Sequence, residues 1–568
     1  MDNQKVAEIF QEIGDLLDIA NENPFRIKSY HKAAQVIGHM PKDIREIYEK
    51  NPKDLENIPG IGKGLRELIE EIFKTGKCSE LDNLKKGFPP GILEMLKLRG
   101  VGPKKVKLFY QELGLDDLNY LKKTAVEGRL RDLPGMGEKS EQDIINAIDD
   151  YQKNPPGRML INQALANAQH IIAYMKDCKD VQKIEYVGSL RRMKETIGDL
   201  DILTTGKNAE KIIDHFTHYP GVKRVIAKGD TKSSVILDSG VQVDLRVLEP
   251  KSFGAAMHYF TGSKAHNIHI RALAKRKGLK ISEYGVFKGS KMIGGKTEEE
   301  VFKSVGLPYI PPELREDNGE FEEPLPKLIE TRDLKGDLHM HTKWSDGSQT
   351  ILDIAKAYKE NGYEYIAIAD HSGALGITGG LKESNIDKYL KDIEKADKKM
   401  KDFKILKGCE VDVMKGGDLY FGDNILKKFD IAIASIHTAM SMDTDSVTKR
   451  LIKAIENPYV NMLGHPTGRL LNQRTGYEPD MEKIIKACAA NNVVIEINAN
   501  PMRLDLYDIY CKMAKSHGVK IAINTDAHHS NQMQFLTLGV AVARRGWLEK
   551  SDVITTYPLK KLLKALNR

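Results

Sequence analysis

Side chains of the kinds that bind metal ions recur along the carboxyl-terminal part of the chain, nearly all of them where an apolar run ends. One run, 366–369, precedes Asp370 and His371, and another, 431–436, precedes His437. In a β/α barrel the carboxyl ends of parallel strands converge on one mouth, so the pattern predicts a barrel with one shared site. The candidate ligands are His339, His341, Asp346, His371, Glu410, His437, His465, Asp526 and His528.

Six imidazoles and three carboxylates are more donors than one ion can take. Mixed nitrogen and oxygen donors suit Zn²⁺, Mn²⁺ or Fe, and we expect two or three such ions. A single histidine at a strand end is most often an ordinary packed residue, but nine donors in register favour a metal centre. The apolar runs predict seven strands, with helix-length segments between most of them. These runs lie near 337–341, 366–371, 404–410, 430–437, 459–465, 493–498 and 519–526.

A different pattern marks the amino-terminal third, where three G-x-G turns each follow an apolar residue and precede a helix carrying lysine. Glycines let the backbone approach an anion closely, and the first amides of the following helix point at it. One copy could be an ordinary helix linker with a glycine cap, but three copies favour helix-hairpin-helix contacts with DNA phosphates. In the third copy Glu138 would repel a phosphate. The motif residues are Gly60, Gly62 and Lys63; Gly100, Gly102, Lys104 and Lys105; and Gly135, Gly137 and Lys139.

The middle of the chain carries paired carboxylates. Asp199 and Asp201 lie two apart in a strand-like run, so both leave the same face. In the alternating run 241–247, Asp244 lies on the face opposite the apolar residues. Three carboxylates on adjacent strands can hold two Mg²⁺ (or Mn²⁺) ions for nucleotidyl transfer. Gly188 and Ser189, ten residues before Asp199, suit a triphosphate.

This arrangement resembles the nucleotidyltransferase core of family X DNA polymerases, the group that includes DNA polymerase beta, over about 1–315. The stretch 259–267 strengthens the resemblance. It implies that Ser189 and Arg192 bind the triphosphate, that Asn267 faces the minor-groove edge of the incoming base, and that Arg271 lies on the template side. The residues implied to pack against the sugar are Tyr259, Phe260 and Gly262.

The stretch 337–347, Asp-Leu-His-Met-His-Thr-Lys-Trp-Ser-Asp-Gly, resembles the first motif of the PHP (polymerase and histidinol phosphatase) family, and the later donors follow in that family's order. The resemblance covers about 335–568. It implies a distorted seven-stranded β/α barrel with a trinuclear, phosphoester-hydrolysing site. Together the two resemblances point to the bacterial and archaeal branch that fuses a polymerase with a PHP domain.

Two departures from the family pattern affect function. Gln242 stands where polymerase beta has an arginine two residues before the third catalytic aspartate, so the priming hydroxyl loses an electrostatic partner. Leu68 falls where the Schiff-base lysine of the lyase would lie, and leucine cannot act as an amine nucleophile. Arg26 takes another lysine position and, with Lys32, can still bind a 5′-phosphate at a gap.

We therefore predict a multidomain chain with α+β and α/β parts. Its fold class combines a helical helix-hairpin-helix region, a mixed-sheet nucleotidyltransferase palm and a carboxyl-terminal distorted (β/α)7 PHP barrel. The Pro-rich, acidic stretch 308–326 predicts an extended linker, and 154–157 a second seam. The predicted domains are 1–85 and 86–154 (helical, DNA-binding), 155–250 (palm), 251–315 (nucleotide-binding), 316–334 (linker) and 335–568 (barrel).

Composition adds little. A formal net charge of +7 permits nucleic-acid binding without arguing for it. The sequence contains no apolar run of membrane-spanning length and no signal peptide, so we expect a cytoplasmic protein without membrane contact. The cysteines have no paired spacing and are expected to be reduced and structural; they are Cys78, Cys178, Cys409, Cys488 and Cys511.

The leading hypothesis is a DNA-templated, gap-filling repair polymerase, as in base excision repair, joined to a metal-dependent 3′–5′ exonuclease that could also cut abasic sites. Its expected partners are gapped or primer-template DNA and dNTPs, and it is expected to be a monomer. Two alternatives concern the barrel, which could be a small-molecule phosphatase or a catalytically silent scaffold. Unfilled polar donors would be costly to bury, which counts against the scaffold.

Overall fold

The structure is a computed structural model that describes residues 3–38, 40, 44–58, 60–96, 98, 100–153, 158–374, 379–474 and 476–566. The expected seam at 154–157 lies outside the described residues. The chain forms two compact units, Met1–Gly157 with Ile213–Arg246, and Arg158–Ile212 with Val247–Arg568. The boundaries of the six expected domains stay predictions.

The amino-terminal region is helical and has two apolar cores. One is built around Phe10, Ile69 and Ile72 and the other around Phe109 and Leu121. Apolar residues spaced three and four apart give these helices one buried face. The helices are α1 (Asn3–Ile19), α2 (Pro24–Gly38), α3 (Ile44–Lys50), α4 (Lys63–Thr75), α5 (Ser79–Lys86), α6 (Pro90–Met95), α7 (Pro103–Leu113), α8 (Leu118–Val126) and α9 (Glu138–Lys153).

The middle of the chain alternates short strands with helices. Its elements are β1 (Met159–Leu160), α10 (Ile161–Lys176), β2 (Val181–Tyr186), α11 (Gly188–Arg191), β3 (Thr196–Ile197), β4 (Leu200–Gly206), α12 (Ala209–Thr217), β5 (Val222–Lys228), β6 (Lys232–Leu237), β7 (Gln242–Leu248), α13 (Phe253–Thr261), α14 (Lys264–Arg276), β8 (Lys280–Ser282), β9 (Gly285–Lys288), β10 (Lys291–Gly294) and α15 (Glu298–Val305).

The strands of this region pair antiparallel within each unit. In the second unit β2 pairs with β4, and β8, β9 and β10 form a small sheet. In the first unit β6 lies between β5 and β7. Burial alternates along β7, with Val243, Leu245 and Val247 inside and Asp244 on the other face, as its sequence predicts.

The Pro-rich segment differs from the prediction, because it is packed and not an extended linker. Ile310 and Leu314 are buried in one apolar core with α14, α15 and Trp547. Arg315 and Ile329 are fully buried as well. The composition of the segment indicated solvation, but apolar residues between the prolines bury their side chains against elements distant in sequence.

The carboxyl-terminal region is a parallel barrel. Its strands are hydrogen-bonded in sequence order, and a parallel bridge between Met340 and Ala527 nearly closes it. The elements are β11 (Gly336–Asp337), α16 (Ile351–Glu360), β12 (Tyr365–Ile368), α17 (Ile386–Lys398), β13 (Lys404–Asp412), α18 (Asp423–Leu426), β14 (Ile431–Ser435), α19 (Thr444–Ile455), β15 (Met462–Leu463), α20 (Met481–Asn491), β16 (Val494–Asn498), α21 (Asp508–Ser516), β17 (Ile521–Asn524), α22 (Leu536–Arg545) and α23 (Leu559–Leu566).

The predicted fold class is confirmed in all three of its parts, and each of the seven predicted strands overlaps a barrel strand. The five cysteines are free thiols, as expected. Over the described residues, none of the helices combines the length and the apolar character that a membrane crossing needs.

Candidate functional site

The nine candidate metal ligands come together at the carboxyl ends of the barrel strands, which is the end that β/α barrels use for their sites. Most of them lie at or shortly beyond the end of a strand, and Asp346 lies farther along the loop that follows β11. In chain order, His339, His341 and Asp346 follow β11, His371 follows β12, Glu410 lies in β13, His437 follows β14, His465 follows β15, and Asp526 and His528 follow β17.

Eight of the nine donors fall into three groups, and within each group the ligand atoms lie within 4.8 Å of one another. His465 belongs to none of these groups and contacts Glu410. His341 belongs to two groups and His371 to two. The groups are His341, Asp346, His371 and His528; His339, His341 and Asp526; and His371, Glu410 and His437.

The carboxylate of Glu410 is the centre of this arrangement. Its Oε2 lies 2.7 Å from His371 Nδ1, and its Oε1 lies 3.3 Å from His437 Nε2 and 2.9 Å from His465 Nε2. His339 Nε2 is 3.5 Å from the same Oε1. His341 Nε2 is 3.7 Å from Oε2, so one buried carboxylate faces five imidazoles.

The donor atoms fit divalent metals. Several are fully buried yet have no partner of hydrogen-bonding geometry among the described residues, although they lie in contact with one another. Burying polar atoms without partners is costly, and a metal ion would satisfy them. The atoms are His339 Nε2, both ring nitrogens of His341, His371 Nδ1, Glu410 Oε2, His437 Nε2 and His465 Nδ1.

The pKa values of two residues at the mouth of the barrel are shifted by their neighbours. Burial would raise the pKa of Glu410, but His437, His371 and His339 hold it well below its usual value. Burial works against the charged form of His437, yet Glu410 and Asp412 raise its pKa to about 10. Metal binding to His437 must therefore displace a proton from its imidazole, and the Glu410 carboxylate is ionised at neutral pH.

A surrounding set of carboxylates orients the imidazoles, and the sequence analysis missed it. Glu496 Oε1 lies 2.7 Å from His339 Nδ1, and its Oε2 accepts from the His465 backbone N–H at 2.8 Å. Asp412 Oδ1 lies 2.9 Å from His437 Nδ1. Such partners fix which ring nitrogen faces a metal. Both acids lie near the carboxyl ends of β13 and β16, so the signal that found the ligands could have found them.

In the second unit, the expected triphosphate residues lie around α11. Gly188 has a left-handed φ of 67°, and a Cβ there would come within 2.7 Å of Asp201 Oδ2, so glycine is required beside the carboxylate. Asp199 is exposed just before β4. Ser189 is half-buried in α11. Arg192 Nη1 lies 3.1 Å from the position that a Cβ on Gly262 would take.

In the first unit, Asp244 is paired. Lys232 Nζ lies 2.9 Å from Asp244 Oδ2, and Gln242 Nε2 donates to Oδ1 at 2.7 Å. Burial would raise the pKa of Asp244, but these groups and Ser234 lower it below its usual value, so the carboxylate is ionised. The sequence analysis missed Lys232, which supplies a positive charge beside Asp244, near Gln242, for which the resemblance leads us to expect an arginine.

The expected sugar- and base-facing residues lie on α13 and α14. Tyr259 and Phe260 are half-buried, with their rings edge to face at 5.1 Å. Asn267 Nδ2 donates to the Tyr259 backbone oxygen at 2.7 Å, and its Oδ1 has no hydrogen-bond partner among the described residues. Arg271 is exposed.

The hairpin turns present open backbone. Around Gly62, Gly100 and Gly102 an added Cβ would meet no described atom within 4 Å, which leaves room for a phosphate. At Gly60 the nearest group is the stem of Lys32, 3.1 Å from an added Cβ, so the first hairpin and Lys32 lie together. The lysines after these turns differ, since Lys63 and Lys104 are exposed and Lys105 Nζ donates to the Gly100 oxygen at 2.9 Å.

In the region expected to bind a 5′-phosphate, Arg26 is already paired with acidic side chains. Arg26 forms ion pairs with Glu80 and with Glu22, so a phosphate would have to displace a carboxylate. Leu68 packs against the amino-terminal core. It is a partly buried apolar residue at the position where the resemblance leads us to expect the lysine of a lyase.

Comparison with known proteins agrees with this geometry. Residues 1–78 match the helix-hairpin-helix domain, 92–150 the SAM-like helix-hairpin-helix tandem, 256–316 the DNA polymerase beta thumb and 337–500 the PHP domain. The chain is 37% identical over 574 residues to "DNA polymerase/3'-5' exonuclease PolX" of Bacillus subtilis (strain 168), with 100% of both chains covered.

Two other relatives match parts of the chain. A "probable phosphatase" of Thermoanaerobacter sp. (strain X514) is 31% identical over 231 residues, 39% of this chain and 89% of that protein. DNA polymerase lambda of Arabidopsis thaliana is 25% identical over 352 residues, 55% of this chain and 62% of that protein. The class that these parts define is a polymerase-type chain joined to a metal-binding barrel. The chain belongs to family X of the DNA polymerases, and residues 337–500 of it match the PHP domain.

Proposed function

We propose that this protein is a DNA-templated DNA polymerase that fills gaps during repair and carries a metal-dependent 3′–5′ exonuclease in its barrel. The observation that carries the proposal is the set of eight clustered donors, with His465 2.9 Å from Glu410, in a chain similar along its whole length to a polymerase with that exonuclease. The ligands of the barrel ions would be the nine donors, arranged as two or three sites. Bound there, divalent ions would activate water and neutralise the phosphoester.

For nucleotide addition we propose Asp199, Asp201 and Asp244 as the ligands of Mg²⁺ or Mn²⁺. Bound there, the two ions would align the primer 3′-hydroxyl and neutralise the leaving pyrophosphate. Ser189, Arg192 and the open backbone at Gly188 support binding of a dNTP triphosphate. Tyr259, Phe260, Gly262, Asn267 and Arg271 are proposed to contact the sugar, the base and the template side.

For DNA binding we propose that the first two hairpins and Lys32 bind phosphates of the DNA backbone on either side of a gap. Their open glycines and neighbouring lysines support contacts with phosphates and none with bases. A monomer would suffice for this arrangement.

The test separates the two activities with one primer-template substrate. Asp201→Asn should abolish nucleotide addition and spare primer degradation, because the two sets of carboxylates lie on different domains. The double change His339→Ala with His341→Ala should do the reverse. A folded variant that loses both activities would contradict the division.

A second candidate function is supported by the phosphatase relative, whose alignment is close in length to 335–568. In that case the barrel would hydrolyse a small phosphomonoester. Wild-type protein that releases phosphate from p-nitrophenyl phosphate but leaves a single-stranded 3′ end intact would favour this function. Degradation of the 3′ end, lost with the two-histidine change, would favour the exonuclease.

A further inference from the structure

Two arginines of the barrel reach the loop that carries the expected triphosphate ligand. Arg192 Nε donates to Glu316 Oε1 at 2.9 Å. The same oxygen lies 3.3 Å from Arg545 Nη1 at the end of α22. Arg545 Nη1 also donates to the backbone oxygen of Arg192 at 3.2 Å, and Asp508 accepts from its Nη2. Arg545 thus contacts both the backbone of Arg192 and the Glu316 carboxylate, which in turn binds the side chain of Arg192.

The second arginine holds the end of the same loop. Arg469 lies 3.6 Å from Glu195, three residues after Arg192. Its guanidinium stacks on the Tyr507 ring at 3.7 Å and donates from Nε to the Arg503 backbone oxygen at 2.7 Å. Burial would raise the pKa of Glu195, yet Arg469 and Arg545 lower it to about 2, so the contact joins two full charges.

The charges of this network favour an anion. Arg192, Arg545 and Lys194, the last at 3.8 Å, share the single carboxylate of Glu316. Asp508 also pairs with Arg545, which leaves two carboxylates for three cations, so Arg192 remains attractive to a triphosphate while Glu316 and the Thr261 backbone oxygen fix its direction. Both arginines of the barrel are buried, where such contacts are screened little by solvent.

We propose that Arg545 and Arg469 are positioning residues for nucleotidyl transfer, and that the barrel thereby sets the affinity of the polymerase site for dNTPs. The inference rests on the proposed function in one respect, the assignment of Arg192 to the triphosphate. Without Arg545, Glu316 would bind Arg192 more completely and the loop would lose a backbone contact. Both effects weaken the hold on the triphosphate.

The experiment measures the KM for dNTP and kcat on a gapped primer-template, and primer degradation by the same preparations. Arg545→Met should raise the KM on the order of tenfold, as expected for residues coupled in one network, with primer degradation unchanged. Arg545→Lys keeps the charge and should recover part of the affinity. Arg332→Met is the matched control, since that arginine is 82% exposed, and it should leave the KM at the wild-type value.

A double change shows whether Arg545 acts through Arg192. If it does, adding Arg545→Met to Arg192→Met should raise the KM little beyond Arg192→Met alone. A multiplicative rise would overturn the proposal, as would an unchanged KM in a folded Arg545→Met enzyme. Equal loss of both activities with a lower Tm would indicate a merely structural role and would also overturn it. If Arg545→Met does not fold, the Arg545→Lys and Arg469→Lys enzymes carry the same test.

The same measurements distinguish a wrong assignment of Arg192 to the triphosphate from a wrong role for Arg545 and Arg469. If Arg192→Met itself leaves the KM for dNTP unchanged in a wild-type background that polymerises, the triphosphate assignment in the proposed function is wrong. If Arg192→Met raises the KM and the arginines of the barrel do not affect it, only the present inference fails.

Discussion

His339 Nδ1 lies 2.7 Å from Glu496 Oε1, so the carboxylate from β16 fixes the ring of a candidate metal ligand from β11. We predict that Glu496→Gln lowers metal affinity of the barrel by about 10- to 100-fold, as loss of an orienting partner does elsewhere. Metal titration of the apoprotein, read by bound metal content, measures this. Glu360→Gln, an exposed change in α16, is the control. Equal affinities in all three proteins would show that Glu496 does not orient the ligand.

Stability of the second unit should depend on pH through Glu320. Burial raises the pKa of Glu320 to about 7 from an ordinary 4.5. The native state therefore holds a proton that the unfolded chain releases between these values, and stability falls as pH rises through that window. His266, 2.8 Å away, stays neutral there because burial lowers its pKa well below its usual value.

Glu320→Gln cannot ionise, so its stability relative to wild type should improve between pH 5 and pH 8 by roughly 2.5 kcal/mol. Trp547 shares a core with Ile310 and Leu314, so urea unfolding can be followed by its fluorescence in a Trp344→Phe background. The exposed change Glu322→Gln should show no such pH difference. A relative stability of Glu320→Gln that is equal at both pH values would contradict the argument.

The sequence predicted the barrel strands and their metal donors because a parallel barrel imposes a simple pattern, an apolar run ending in a polar side chain. The same pattern contains Glu496 and Asp412, so these two acids could have been predicted as well, but the histidine that each one contacts is known only from the fold. The packing of the segment around Ile310 was not predictable. Its prolines and acidic residues are typical of a linker, and the residues that cover its apolar side chains are distant in sequence. Arg545 and Glu316 are far apart in sequence, and only the fold brings them together.

DNA binding should be steeply salt-dependent. Each duplex phosphate contact contributes about 0.9 to the slope of log affinity against log salt. Lys104, exposed directly after the second hairpin, is predicted to make one contact, so Lys104→Ala should reduce the slope by about one. The measurement is fluorescence anisotropy on a gapped duplex at several salt concentrations. Lys123→Ala, exposed on α8, should leave the slope unchanged, and a wild-type slope near zero would remove the assignment.

The affinity for a gap should also depend on its 5′-phosphate. Arg26 and Lys32 are the proposed ligands, and Arg26 must exchange Glu80 for the phosphate. We predict tighter binding to a gap with a 5′-phosphate than to one without, and a smaller difference in Lys32→Ala. Competition between the two duplexes measures the preference. Equal binding of both duplexes by the wild-type protein would contradict the prediction.

Little 5′-deoxyribose-phosphate lyase activity is expected, because Leu68 offers no amine. Borohydride should trap little protein on an abasic end. Leu68→Lys should raise trapping if α4 faces the sugar, whereas strong wild-type trapping that disappears in Lys63→Ala would show that the nucleophile lies at the hairpin. Lys77→Ala, an exposed change beyond α4, serves as the control for both.

The shared core around Trp547 limits how this chain can be divided. Ile310 and Leu314 pack there with Phe302 of the thumb, so a chain ending before the barrel would expose apolar side chains that no thumb residue replaces. Loss of polymerase activity in such a shortened protein would report misfolding and say nothing of catalysis by the barrel. Recombination between relatives faces the same constraint. A barrel from a relative would fit this thumb only if it carried an aromatic side chain of similar shape at the position of Trp547. The two domains are therefore expected to be inherited together.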